Sequence, residues 1–190
     1  MKTIFFTGSG DNGSSEVGGK KFSKDGQVFE LLGSLDELNS FIGFARANAK
    51  KIKDSGEKNS IQDSLKRLQE LLFIAQAEVA ALAFHHRSAE LQKIKKEHVE
   101  YFEETITGID AILPPLNAFI ISGEDELSAC VDIARTAARR TERIAVKTRD
   151  ELSLSPEFLQ FFNRLSSVLF ALARYASHEA GTKENNPLYQ

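Results

Sequence analysis

Apolar residues recur along this chain at steps of three and four. The clearest stripe runs Ile61, Leu65, Leu68, Leu72, Ala75, Val79 and Leu82. That spacing keeps one side of a helix apolar and predicts a bundle-type helix there. Four further helices follow from related signals. Ser34-Leu35-Asp36-Glu37 has the S-x-x-E form of a capping box, so a first helix is expected from Ser34 to about Lys50. Another is expected from about Ser88 to Ile109, with Leu91, Ile94, Tyr101 and Phe102 turned inward and Pro114-Pro115 barring its continuation. A fourth spans roughly Glu124 to Arg149. The fifth opens at Ser155-Pro156, an N-cap followed by proline at the first helical position. It carries Leu159, Phe162, Leu165, Leu169, Leu172 and Ala176. Between Ser34 and Gly181, only Phe119-Ile120-Ile121 reads as a short extended piece. The expected fold class is therefore all-α, a five-helix bundle.

Ahead of the bundle the pattern changes. Seven of the 12 glycines fall within the first 33 residues, which sets a glycine-rich N-terminal segment (1–33) apart from the helical bundle (34–181) and a C-terminal tail (182–190). At 190 residues the whole is expected to be one domain. A net charge of −3 gives no electrostatic reason to expect a nucleic-acid partner. No apolar run is long enough for a membrane span, and the N-terminus lacks the apolar region of a signal peptide. The single cysteine, Cys130, cannot form an internal disulfide. These features point to a cytoplasmic protein.

Two segments carry candidate chemistry. Thr7-Gly8-Ser9-Gly10-Asp11-Asn12-Gly13-Ser14-Ser15 is dense in small and hydroxyl residues, so its backbone N–H groups are able to converge on an anion. Gly8, Gly10 and Gly13 spell G-x-G-x-x-G, but Ser14 to Gly26 shows no helical periodicity, and a dinucleotide-binding turn needs a helix there. Gly19-Lys20 is followed by Lys21 rather than Ser or Thr, so the P-loop pattern fails as well. A solvated tail and a phosphate loop both fit this composition. The second segment is Ala134-Arg135-Thr136-Ala137-Ala138-Arg139-Arg140-Thr141-Glu142-Arg143. Its spacings put Arg135, Arg139 and Glu142 on one helix side, beside a stripe of small residues that lets another helix approach closely. Guanidinium forks suit phosphate oxygens or an intersubunit carboxylate, and an exposed Arg/Glu surface fits the spacing equally. Asn163, set among phenylalanines, suits either a structural hydrogen bond or contact with a base or ribose. No Glu-x-x-His pair, HExxH or nucleophile-elbow motif occurs.

Read in order, these pieces resemble the PduO-type ATP:cob(I)alamin adenosyltransferases. The resemblance runs through 7–13, Phe22-Ser23-Lys24-Asp25, Gly33 to Gly43, Phe119 to Gly123, the arginine helix, Phe162-Asn163-Arg164-Leu165-Ser166 and Ala171 to Ala176. It implies a homotrimer with active sites between subunits, in which the 5′-deoxyadenosyl group of ATP passes to reduced cob(I)alamin, forming adenosylcobalamin and releasing triphosphate. A non-catalytic ATP- or adenosylcobalamin-binding chaperone or sensor on the same trimer is the alternative.

The resemblance assigns ATP contacts to Thr7, Gly8, Ser9, Gly10, Asp11, Gly13, Lys24, Arg135, Arg139, Glu142, Arg143 and Asn163. It assigns catalytic roles to Arg139, Phe119 and Glu142. Phe119 falls where the family presents an aromatic beneath the corrin ring, with Phe170 near it, and Asp36 pairs with Arg135 across subunits. Mg²⁺ is expected on the ATP phosphates, and a reductase and a cobalamin-dependent acceptor enzyme are the expected partners. The sequence departs from the family pattern at Gly8, Ser9, Asn12, Ser14, Ile121, Ser122 and Ser167.

Overall fold

The computed structural model describes residues 5–6, 8–17, 20–49, 60–84 and 92–189. A short hairpin, β1 (Ser14–Val17) and β2 (Lys20–Ser23), precedes five helices: α1 (Gln27–Ala49), α2 (Ile61–Phe84), α3 (Lys96–Asp110), α4 (Glu126–Leu152) and α5 (Pro156–Glu179). The strands pair antiparallel, with Ser14 opposite Ser23 and Ser15 opposite Phe22. The bundle is as expected; the hairpin is not. Ser14-Ser15-Glu16-Val17 lacks the apolar alternation that signals a strand, and what anchors the hairpin is one side chain. Phe22 packs on Phe29 of α1 and Phe84 of α2, with ring centroids 6.3 and 4.9 Å away.

Two helix starts also differ from expectation. α1 begins at Gln27, so the boundary at residue 33 cuts through a continuous helix. Ser34 is not its cap: the hydroxyl donates to the Leu31 carbonyl at 2.8 Å, one turn back inside the helix. α3 begins at Lys96, later than the Ser88 start expected; Ser88 and Leu91 lie outside the described residues. Ile94 is buried as expected but precedes the helix, and its N–H donates to Glu78 Oε2 of α2 at 2.7 Å. At α5, by contrast, Ser155 accepts from the Phe158 N–H at 3.1 Å and Pro156 opens the helix.

The core gathers where α4 lies between α1 and α5. Small residues make this possible. Leu127, Cys130, Ala134, Ala138 and Ala145 are all buried along one stripe of α4, so neighbouring backbones come close. α4 runs antiparallel to both: Thr141 Oγ1 donates to the Ser34 carbonyl and Asn48 Nδ2 to Cys130 Sγ, while Asn163 meets Glu142 and Ser177 meets Asp125. Phe158, Phe161 and Phe162 of α5 fill the core with Phe102 of α3. Fully burying such a side chain contributes about 1.5–3 kcal/mol. The packed α4–α5 pair is the frame that carries Arg135, Arg139, Glu142 and Asn163.

Candidate active site

The outer side of α4 and the adjoining side of α5 wall an open cavity of about 560 Å³. Arg135, Arg139, Ser166, Ser167 and Phe170 contribute from these helices, Ile106 and Ile109 from the end of α3, and Phe119 and Ile120 from the loop before α4. Three guanidinium groups, with Arg174 the third, thus share one chamber with two phenyl rings and the Asp110 carboxylate. The Arg135 carbon Cζ stands 6.0 Å from the centroid of Phe170, within reach of a cation–π attraction. The rest of that guanidinium is held by Asp132, whose Oδ2 accepts from Nη2 at 3.1 Å. Burial pushes the Asp132 carboxyl up, but hydrogen bonds from Arg135 and Ser122 outweigh it and hold the group below the usual carboxylate range.

Arg139 is differently placed. It is exposed, and no carboxylate lies within ion-pair distance of it among the described residues. Its neighbour Arg140 is taken up by Glu37 of α1, and Arg143 donates from Nη1 to the Arg139 carbonyl at 3.0 Å. One turn further, Glu142 Oε1 accepts from Asn163 Nδ2 at 3.1 Å, and Asn163 Oδ1 accepts from Arg164, which also binds Glu103 of α3 at 2.8 Å. Asn163 is therefore an exposed link in a chain crossing α4, α5 and α3, rather than a partner for a buried backbone group. Among the described residues, Arg139 and Arg143 are the arginines of this cluster without a carboxylate partner, and of these two Arg139 is the one that lines the cavity.

Phe119 is 79% exposed, an unusual position for a phenyl ring. Its placement comes from the backbone: the Phe119 carbonyl accepts from Asn186 Nδ2 at 2.8 Å, and the Ile121 N–H donates to the Asn185 carbonyl at 2.8 Å. The extended piece expected at 119–121 is thus one strand-like hydrogen bond to the tail after α5. Nothing in the pattern of Glu184, Asn185 and Asn186 pointed to this contact.

The glycine-rich head sits elsewhere in the same chain. Thr7 lies outside the described residues. The Asp11 N–H turns back onto the Gly8 carbonyl and the Gly13 N–H onto the Gly10 carbonyl, both at 3.3 Å. Gly8 and Gly13 adopt φ of 73° and 75°, a region other L-residues enter at a cost. Asn12 Oδ1 accepts from the Ser14 N–H at 3.2 Å. Lys24 folds across the turn and donates from Nζ to the Gly10 carbonyl at 2.9 Å. So Gly8, Ser9, Gly10, Asp11, Gly13 and Lys24 form one unit with its ammonium in place, while no described residue before Ile106 lines the cavity. Asp36 is exposed on α1 and does not meet Arg135, which is occupied by Asp132.

A helical bundle with an arginine-bearing, aromatic-walled cavity and a separate lysine-bearing glycine turn offers donors for an anion and faces for a flat ring, and the sequence profile of the cobalamin adenosyltransferases matches residues 5–176. The chain belongs to that family. It is 34% identical over 182 residues to human corrinoid adenosyltransferase MMAB, covering 94% of this chain and 71% of that protein. It is 33% identical over 170 residues to a corrinoid adenosyltransferase of Citrobacter freundii, covering 89% and 92% of the two chains. Among solved structures, a phenylalanine-to-alanine variant of the PduO-type ATP:corrinoid adenosyltransferase of Lactobacillus reuteri, complexed with cobalamin and ATP, superposes with a TM-score of 0.83. The identity is 28%, covering 97% of this chain and 99% of that one.

Proposed function

We propose that this protein transfers the 5′-deoxyadenosyl group of ATP to the cobalt of cob(I)alamin, a reading supported by its similarity to proteins named corrinoid adenosyltransferases. The observation that carries the reading is the cavity in which Phe119 and Phe170 share walls with Arg135 and Arg139. Aromatic faces suit a corrin ring, and guanidinium forks suit phosphate oxygens. Reduced cobalt attacks the 5′ carbon, a Co–C bond forms, and the C–O bond to triphosphate breaks. The departing group carries a charge of about −4, so donors fixed where that charge develops lower the barrier. Arg139 is the donor best placed for this, because it lines the cavity and has no ion-pair partner among the described residues. Glu142 and Asn163 hold each other in position beside it, ready for ribose or base contacts. Phe119 stands where a lower cobalt ligand would approach, and excluding that ligand favours the four-coordinate Co(II) precursor; Phe170 supports the same wall.

The described residues of the head are absent from the cavity lining, so the reading places the head of a neighbouring subunit there, in a homotrimer. Lys24, Thr7, Ser9 and the turn amides then face triphosphate, and Asp36 of one subunit competes with Asp132 for Arg135 of the next. Mg²⁺ travels on the phosphates: among the described residues no group of three His, Cys, Asp or Glu side chains is arranged to cage a cation. A reductase supplies the electron and a cobalamin-dependent enzyme accepts the product. A reducing cytoplasm suits Co(I), and no described helix is long and apolar enough to cross a membrane.

The test is anaerobic: protein, ATP, Mg²⁺ and chemically reduced cobalamin are mixed, and the light-sensitive Co–C bond is followed by absorbance. Catalytic turnover is expected. Stoichiometric binding without turnover would instead identify a chaperone or sensor, and no binding of either substrate would remove the reading altogether.

A further inference from the structure

After α5 the chain reverses at Gly181, with φ of 66°, and the Thr182 N–H returns to the Ser177 carbonyl at 2.9 Å. The segment that follows is stitched to the loop carrying Phe119. Arg174 of α5 is the hub. Its Nε and Nη2 bind Glu184 Oε1 and Oε2 at 2.8 and 2.9 Å, and Nη2 also donates to the Pro114 carbonyl at 3.1 Å. The two side chains are only 8% and 23% exposed, so this two-point ion pair escapes most of the solvent screening that weakens surface pairs. Asn185 and Asn186 then take the Ile121 N–H and the Phe119 carbonyl. The loop is thereby tied at Pro114, Phe119 and Ile121, on both flanks of an aromatic side chain that little else packs.

We propose that the segment 182–189 is a positioning element for the reaction: Glu184 docks on Arg174, and Asn185 and Asn186 fix the backbone on either side of Phe119, holding its ring at the cavity. The residues lie beyond the stretch matched to the family, which stops at residue 176. They touch neither phosphate nor cobalt in this reading; they act through Phe119. The proposal rests on the transferase reading for its kinetic consequence and stands on geometry alone for its structural one.

Two readouts keep those apart. In the protein without ligands, hydrogen exchange across 115–123 is compared among wild type, Asn186→Ala, Glu184→Gln and a chain ending at Gly181. The tethered loop is expected to exchange about tenfold faster once the ties are lost, with the bundle amides unchanged. In the transferase assay the same variants are expected to lose about fivefold or more in kcat while KM for ATP moves less than about twofold. They should also show a weaker absorbance signature of four-coordinate Co(II)alamin. Asn186 is exposed, so its variant isolates the tether from any folding defect. Unchanged exchange at 115–123 overturns the positioning role whatever the enzyme does. Faster exchange with unaltered kcat and Co(II) spectrum overturns its link to the reaction. A wild type that exchanges as expected but shows no turnover indicts the transferase reading and leaves the tether standing.

Discussion

Asn163 Nδ2 donates to Glu142 Oε1 at 3.1 Å, joining α5 to α4 one helical turn from Arg139. Breaking this bond frees a carboxylate next to the expected phosphate path. Asn163→Ala should therefore raise KM for ATP by about fivefold or more, since a carboxylate released from its donor repels the phosphates. Melting temperature should barely move, because Asn163 is exposed. Steady-state kinetics and a thermal melt decide this; a stability loss without a KM effect would make the pair structural.

Arg139→Lys keeps the charge and removes the fork. With no carboxylate partner to lose, the fold should be indifferent to the change, whereas transfer should slow by about tenfold or more. A near-normal rate would mean that the arginines of α4 serve the bundle alone.

Phe119→Ala is expected to separate catalysis from nucleotide binding. A ring that is 79% exposed contributes little to packing, so the variant should melt with the wild type. Turnover should fall steeply while KM for ATP stays within about twofold. Equal losses in both would mean that the ring helps to hold ATP.

Gly10 is a test of the lysine in the head. A Cβ there would stand 2.6 Å from Lys24 Nζ, so Gly10→Ala must push the ammonium off the turn. The side chain is flexible, which makes the displacement cheap for folding. ATP affinity should weaken by about threefold or more, consistent with loss of one charge-assisted contact. Gly13→Ala differs: nothing crowds its Cβ, but a φ of 75° makes the backbone itself strained, at about 1–2 kcal/mol. Calorimetric titration of ATP on both variants distinguishes displaced charge from strained turn.

Glu78 gives a pH prediction. Its side chain is 3% exposed, and burial pushes the carboxyl up, against the Ile94 N–H and Lys93, which favour the charged form, and with Glu157, which opposes it. A raised folded-state value means that ionising Glu78 costs stability. The cost is absent below the ordinary carboxylate range and grows as pH rises through the folded value. Glu78→Gln keeps an acceptor for Ile94 and should stabilise the protein near neutral pH, raising its melting temperature. That gain should vanish in acid. Glu78→Ala should destabilise by about 1–3 kcal/mol, because the Ile94 N–H is left unpaired. Melts of both variants between acid and neutral pH provide the check.

The helices were legible wherever a signal had one meaning. The Ile61 to Leu82 stripe and the Ser155-Pro156 start are examples, since periodicity and a proline at the first turn leave few alternatives. Ser34 was misleading because S-x-x-E also occurs mid-helix, where the serine hydroxyl bonds backwards instead of capping. The hairpin was illegible because its anchor is the Phe22–Phe29–Phe84 cluster, in which Phe84 lies far along the chain from the other two. Within the site, the arginine spacing and Glu142 were readable from helical geometry. The link from Asn163 to Glu142 depends on how α5 lies against α4, and the grip of Asn185 and Asn186 on the Phe119 loop depends on a chain reversal after Gly181; neither has a local pattern.

The reversal at Gly181 has a thermodynamic consequence. Because the loop at 114–121 is already tethered in the free protein, its ordering is settled during folding and is not charged to the arrival of the corrinoid. Titration calorimetry of cobalamin into the ATP-loaded protein should then show a smaller entropic penalty for the intact chain than for one shortened at Gly181.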